Sequence, residues 1–208
     1  MIATQPTVPA PAFDLPADEE TLQRAARGLR ERGFDAVVVD DADAARDAVL
    51  RLLPEGAEVM AFTSQTLEAC GIPAEIEESG RYESVRRRLA AAEGQERRAL
   101  GAAPGWAIGS VQAVTEAGDV LVASASGSQL PAYAYGAGRV IWVVGAQKVV
   151  ADVATGLRRI HEHALRLEDV RARKVYGVPS HVRRVLTLHA EQDAGRTTVV
   201  LMRTAAGF

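Results

Sequence analysis

From Asp18 onward apolar residues recur at helical spacing. Leu22, Ala26 and Leu29 stand four and three apart ahead of Gly33, and Asp18 is placed to cap the first turn. The run DAVVVD, residues 35–40, reads as a buried strand. A second helix over residues 42–53 turns Ala45, Ala48, Val49 and Leu52 inward, and Pro54-Glu55-Gly56 closes it before a strand over residues 58–62. Thr63 or Ser64 caps a short helix that stops at Gly71, with Pro73 barring its simple continuation. Residues 82–100 read as one long polar helix with Val85, Leu89 and Ala92 on one face. Its Arg86, Arg87, Arg88, Arg97 and Arg98 are interleaved with Glu83, Glu93 and Glu96, which favours a solvated ion-pairing face over an anion-binding patch.

The second half changes period. Residues 107–115, 119–123 and 139–144 are apolar and β-branched, separated by turns rich in glycine and serine, and each stretch predicts a strand. Helix returns after Gly145 with Val153, Leu157, Ile160 and Ala164 on one face, and strands follow near residues 185–188 and 197–202. Strands interleaved with helices predict an α/β fold, a mostly parallel sheet flanked by helices. The 208 residues are 48% hydrophobic and only 5% aromatic, enough for one core of small aliphatic side chains. The expectation is one domain over residues 18–208, preceded by a proline-bearing arm, residues 1–17, that is flexible or loosely docked.

Charge narrows the function classes. With 24 basic and 27 acidic residues, a net charge of -3, the chain offers no field for nucleic acid or an anionic membrane. The start lacks a signal-peptide pattern and no stretch is apolar enough to span a membrane, so a cytoplasmic protein is expected. Cys70 is the only cysteine, which excludes an internal disulfide and any zinc finger or iron-sulfur cluster held by this chain alone. His161 and His163 are two apart in a helix and point in different directions, while His181 and His189 lack a recognisable co-ligand. No metal site is assigned.

Candidate chemistry gathers at strand ends. In the turn Thr115-Glu116-Ala117-Gly118, a fixed carboxylate at Glu116 can serve as base or nucleophile, contact a ligand without reacting, or brace the turn; the Thr115 hydroxyl shares that ambiguity. Ser124, Ser126, Gly127, Ser128 and Gln129 follow a strand and precede a helix, where backbone N–H groups and hydroxyls can cradle a carboxylate or phosphate, or make an ordinary loop. Gly136-Ala137-Gly138 precedes its strand, the wrong polarity for a dinucleotide fingerprint. Lys148, after Gly145, can neutralise an anionic metabolite at a helix start or be a surface lysine. Ser64 and Thr66 cap their helix or face the same cleft.

Residues 109–148, GSVQAVTEAGDVLVASASGSQLPAYAYGAGRVIWVVGAQK, resemble the LUD domain of lactate-utilisation proteins, a LutC/YkgG-like family formerly known as a domain of unknown function. The resemblance lies in an ordered pattern: a strand entering Thr-Glu-x-Gly, a second strand, a Gly/Ser loop, a helix, a glycine-bearing approach to a third strand, then Lys148-Val149-Val150 with Asp152 beyond. It extends weakly to Ser64-Gln65-Thr66-Leu67 and Tyr176-Gly177-Val178-Pro179, and departs at Asp119, where many relatives carry Thr, and at Ala125-Ser126-Gly127-Ser128, where some carry Gly-x-Gly-Asn. It implies a fold like that of the NagB/RpiA/CoA-transferase superfamily, with ligands at strand C-terminal ends. It also implies an accessory or ligand-binding role with iron-sulfur partner subunits in oxidation of lactate to pyruvate. Glu116 (catalytic), with Ser64, Thr66, Thr115, Gly118, Ser126, Gly127, Ser128, Gln129 and Lys148 (ligand-binding), are the expected site residues. No cofactor is expected on this chain's own motifs, since iron-sulfur clusters would belong to partner proteins. A stand-alone CoA- or acyl-transferase-like or ligase-like enzyme using Glu116, a non-catalytic interaction module, and a homo-oligomer remain open alternatives.

Overall fold

Asp18 accepts a hydrogen bond from the Thr21 amide (2.8 Å) and so opens α1 (Glu19–Glu31), the first full helix of a computed structural model that describes residues 8–208. Leu22, Ala25, Ala26 and Leu29 form its inward stripe; burying each leucine contributes about 1.5–3 kcal/mol. β1 (Asp35–Val39) follows, and Asp41 caps α2 (Ala42–Leu52) through the Ala44 amide. β1 is an edge strand with Val37 exposed, rather than the fully buried strand its run of valines predicts, and Leu53 replaces Leu52 on the buried side of α2. After β2 (Glu58–Ala61), Ser64 caps α3 (Gln65–Ala69). Pro73 does not simply end that helix. Gly71, at φ 67°, resets the chain so that the proline sits in the first turn of α4 (Ile72–Glu78), where its missing N–H costs nothing.

Two expected elements divide. The long helix over residues 82–100 becomes a short strand β3 (Glu83–Ser84), α5 (Val85–Ala91) and α6 (Gly94–Ala102). Tyr82 is buried, the Ser84 hydroxyl bonds Glu77, and Gly94 at φ 52° breaks the second half away. The strand expected over residues 107–115 becomes β4 (Trp106–Gly109) and β5 (Ala113–Thr115), which belong to different sheets. β6 (Val120–Ser124) and β7 (Arg139–Gly145) lie as expected, joined through a single π-helical turn, Ala132–Gly136. Beyond Gly145 a 3₁₀ turn, Ala146–Lys148, and β8 (Val149–Val150) precede α7 (Val153–Arg159), which Asp152 caps. A π turn, Ile160–Ala164, then leads into α8 (Leu165–Tyr176), followed by β9 (Arg184–Leu188) and β10 (Thr197–Met202). That wider turn shifts the phase, so Arg159 and His163 turn inward beside Ile160 while Leu157 is exposed.

The strands make two sheets. Six parallel strands run in the order β1-β10-β7-β4-β2-β3, and a smaller sheet runs β8-β5-β6-β9, with β5 parallel to β8 and antiparallel to β6. In the central strand β7, Val140, Trp142 and Val144 face the layer that holds α1 and the small sheet, whereas Ile141 and Val143 face α2, α3 and α4. Both faces are covered, which is why β7 and β10 read as continuous apolar runs. α7 closes the far side of the small sheet, where Gly156 lies against the methyls of Leu121. Of the N-terminal arm, residues 1–7 lie outside the described residues. From Ala10 the chain is bonded to the π turn, with the Ala10 amide on the Glu162 carbonyl (3.0 Å) and its carbonyl on His163 Nδ1 (3.1 Å). No helix among the described residues is long and apolar enough to cross a membrane.

Candidate functional site

The parallel strands β2, β4 and β7 all deliver their carboxyl ends to one side of the large sheet. There β2 runs out into Phe62-Thr63-Ser64, β4 into Ser110, and β7 into the turn bearing Gln147 and Lys148. A cavity of about 310 Å³ opens between these ends, the Ser124–Gln129 loop and α8. An aromatic chain stiffens one wall. Phe34 packs on Trp142, Trp142 edge-on to Tyr133, and Tyr133 edge-on to Phe62, with centroids 5.3 to 6.1 Å apart. The Tyr133 hydroxyl fills the space a Cβ on Gly109 would take, which is the local reason β4 ends in glycine. Full burial pushes the Tyr133 phenol well above its ordinary value, so it stays a proton donor.

Lys148 is 1% exposed and forms part of the cavity wall. Its Nζ donates to Thr66 Oγ1 (2.7 Å) and Ser110 Oγ (3.1 Å). Thr66 in turn donates to the Ala206 carbonyl (3.0 Å) and Ser110 to the Val143 carbonyl (2.7 Å). Among the described residues no side-chain carboxylate pairs with Lys148. Burial, reinforced by the positive charge of Arg159, pulls its ammonium well below the ordinary lysine range. Arg159 is itself buried, held by the Gln147 carbonyl (3.1 Å) and the Gln112 carbonyl (2.6 Å), and its Nη2 finds no partner among the described residues. Burial lowers it to about 10, still cationic at neutral pH. The 3₁₀ turn is pinned from the other side by residues after β10: Gln147 exchanges hydrogen bonds with the backbone of Ala206 and donates to the Gly207 carbonyl.

Two glutamines on the wall have their oxygens already used. Gln112 Oε1 accepts from the Ala123 amide (2.7 Å) and Gln129 Oε1 from the Ser124 hydroxyl (2.9 Å). These contacts orient both amides, and their N–H groups are donors a ligand in the cavity can use. Glu168 and Arg171, also on the wall, satisfy each other through paired 2.7 Å contacts and cancel in charge.

The Thr115–Gly118 turn lies elsewhere, against α1. Gly28 in α1 and Gly118 meet backbone to backbone: a Cβ on Gly28 would stand 2.6 Å from the Ala117 carbonyl carbon, and one on Gly118, at φ 88°, would collide with Gly28. Thr115 Oγ1 accepts from the Asp119 amide (2.8 Å) and donates to Asp119 Oδ2 (3.0 Å), closing the turn. Burial raises the Asp119 carboxyl, but hydrogen bonds from His189 and Thr115 and the charge of Arg32 outweigh it and hold the group below its ordinary value. Glu116 pairs with Arg24 Nε at 2.7 Å, both side chains about one-third exposed.

Of the residues singled out by sequence, the structure brings Ser64, Ser126, Gln129 and Lys148 to one cavity and places Thr66 in contact with Lys148. Ser64 also caps α3. Gly127 and Ser128 belong to the same loop but not to the wall; Gly127, at φ 82°, donates its amide to Ser124 Oγ and lies under Arg184. Thr115, Glu116 and Gly118 share no cavity with Lys148. Ser110, Gln112, Tyr133 and Arg159 were not anticipated. Ser110 and Gln112 were hidden inside one apparent strand, and Arg159 occupies a position that unbroken helical spacing turns outward. One signal was available: only two of the 24 basic residues are lysines, Lys148 and Lys174. Among the described residues, no group of three or more His, Cys, Asp or Glu side chains could hold a metal ion.

The model of the LUD domain family matches residues 22–202. Among solved structures, a DUF162 family protein from Deinococcus radiodurans is similar to this chain with a TM-score of 0.57 and 13% identity, over 90% of this chain and 99% of that one, a likeness of fold. No curated protein matches the chain.

Proposed function

Because the chain belongs to the LUD domain family, whose role at the family level relates to lactate utilisation, we propose that the Lys148 cavity binds a small carboxylate of the 2-hydroxy or 2-oxo acid class. The observation that carries this reading is the sign of the wall. Gln112 and Gln129 turn their oxygens to the chain and keep N–H donors, Tyr133 remains protonated, and Lys148, with no acidic side-chain partner among the described residues, lies beside the buried cation Arg159. An acceptor-rich anion supplies what these groups lack, and a volume near the lower end of the usual ligand range suits a small metabolite.

The same reading makes the protein an accessory component of lactate oxidation. Cys70 alone cannot ligate a cluster, so electrons would pass to iron-sulfur partner proteins, with this chain holding the organic acid. Glu116 takes no part in it. Calorimetric titration with L-lactate and with pyruvate tests the site. Lys148→Met is expected to weaken the tighter of the two by about 10- to 100-fold, a loss of about 1.4–2.7 kcal/mol. Equal affinity in the variant would reject the reading. The partner role is tested by whether lactate-dependent reduction of candidate iron-sulfur proteins requires this chain.

A further inference from the structure

We propose that Lys148 is a nucleophile that captures a small 2-oxo acid as an imine on Nζ, an inference that rests on the carboxylate-binding reading of the same cavity. The argument is a count of protons. A hydroxyl has one to give. Thr66 gives its own to the Ala206 carbonyl and Ser110 its own to the Val143 carbonyl, so toward Nζ both hydroxyls act as acceptors. Two N–H bonds satisfy them, and these are the two N–H bonds of a neutral amine. The fourth tetrahedral direction of Nζ is then a lone pair, turned away from both hydroxyls in a side chain that forms part of the cavity wall.

Among the described side chains the one neighbour that would favour a third proton is Cys70, and burial pushes its own thiol up to about 11, so it carries no charge near neutral pH. No carboxylate pairs with Lys148, Glu168 is taken by Arg171, and the nearby charge of Arg159 is positive. A desolvated amine beside another cation is the recurrent way of making lysine a nucleophile at neutral pH. The residue choice is also specific, since arginine cannot serve in this role and the chain carries arginine at all but two of its basic positions.

The carboxylate of a bound 2-oxo acid would take N–H bonds from Gln112 and Gln129, leaving its C2 carbonyl for Lys148. The Nζ lone pair attacks C2, forming the C–N bond as the carbonyl π pair moves onto oxygen. That oxygen gains a proton and Nζ loses one, giving a carbinolamine. Loss of the hydroxyl as water, with a further proton from nitrogen, leaves the C2=N imine. Amine plus carbonyl gives imine plus water, with no change in oxidation state, and hydrolysis reverses it. A 2-hydroxy acid has no carbonyl carbon at C2 and stays noncovalent. The site would thereby distinguish the oxidised acid from the reduced one.

Borohydride trapping tests this. The full chain is treated with pyruvate and borohydride, then with L-lactate and borohydride, and digested for peptide mass mapping. The expected result is one reduced pyruvyl adduct on Lys148, little on Lys174, and none from L-lactate. Lys148→Met, checked for folding by its melting transition, should bring trapping down to the level seen on Lys174. If pyruvate binds by calorimetry yet Lys148 stays unmodified, the imine is overturned while the carboxylate site stands. If Lys148 and Lys174 are modified equally, the imine is likewise overturned. If neither acid binds, both readings fall together.

Discussion

The Glu116 turn and the Lys148 cavity are the two polar features most visible along the chain, and they have opposite electrostatic situations. Glu116 has a cationic partner, Arg24, on a half-open surface, and the residues around it are joined to one another and to α1. Lys148 is buried with no acidic side-chain partner among the described residues, beside another buried cation. The first arrangement is complete as it stands. The second is satisfied only by neutralising the amine or by bringing in an anion. A polar residue at a strand end points to a ligand when its own chain leaves its charge uncompensated.

The sharpest way to break this comparison is at the turn glycine. Gly118→Val combines a positive φ with a collision against Gly28 and should lower stability by about 3–5 kcal/mol, read as a fall in the urea midpoint. Binding by the remaining folded protein should persist, because the cavity lies elsewhere. Loss of binding at full stability would place the turn in the site after all.

Lys148→Met comes next, with opposite signs for function and stability. Binding should drop as given above, while the melting temperature should rise by about 2–4 °C for each kcal/mol of relieved desolvation. The pH dependence follows from linkage. The folded protein holds Lys148 below its unfolded value of 10.5, so between the two values the unfolded chain binds the extra proton. The lysine therefore costs stability below pH 10.5, and the cost shrinks as pH rises toward that value. The gap between variant and wild type should narrow in alkaline buffer; a pH-independent gap would mean the amine is not desolvated. Cys70 offers a related check. Burial pushes its thiol up to about 11, so alkylation near neutral pH should be slow in the folded protein and rapid in urea.

The smallest effect belongs to Glu116→Gln. A pair exposed by about one-third on each side contributes about 0–1 kcal/mol, further screened by salt. A double-mutant cycle with Arg24→Gln should return a coupling within that range, and pyruvate affinity should not move. A large loss of ligand affinity in Glu116→Gln would restore it to the site.

Much of the framework was legible. The aspartate cap at Asp18, the glycine and proline breaks, and the apolar runs of β7 and β10 are local signals, and local hydrogen bonding with two-sided burial turns them into the observed elements. The failures have physical causes. Residues 107–115 look like one strand because both pieces are apolar, yet β4 pairs with β7 and β5 with β6 and β8, and only those distant pairings show where the chain changes sheets. Residues 82–100 have the composition of one helix, but Gly94 adopts a positive φ that the pattern of apolar positions does not encode.

The site divides the same way. Sequence alone determined the α/β class, the family resemblance and the strand-end placement of Ser64, Ser126, Gln129 and Lys148, because these depend on local order and spacing. Tertiary structure alone decided which strand ends open onto the Lys148 cavity and which lies against α1. The partners that settle it are far apart in the chain: Thr66, Ser110 and Arg159 around Lys148, against Arg24 and Gly28 around the turn. Whether a charge is compensated depends on what lies within a few ångströms of it, and for both features that is decided by chain segments that meet only when the sheets form.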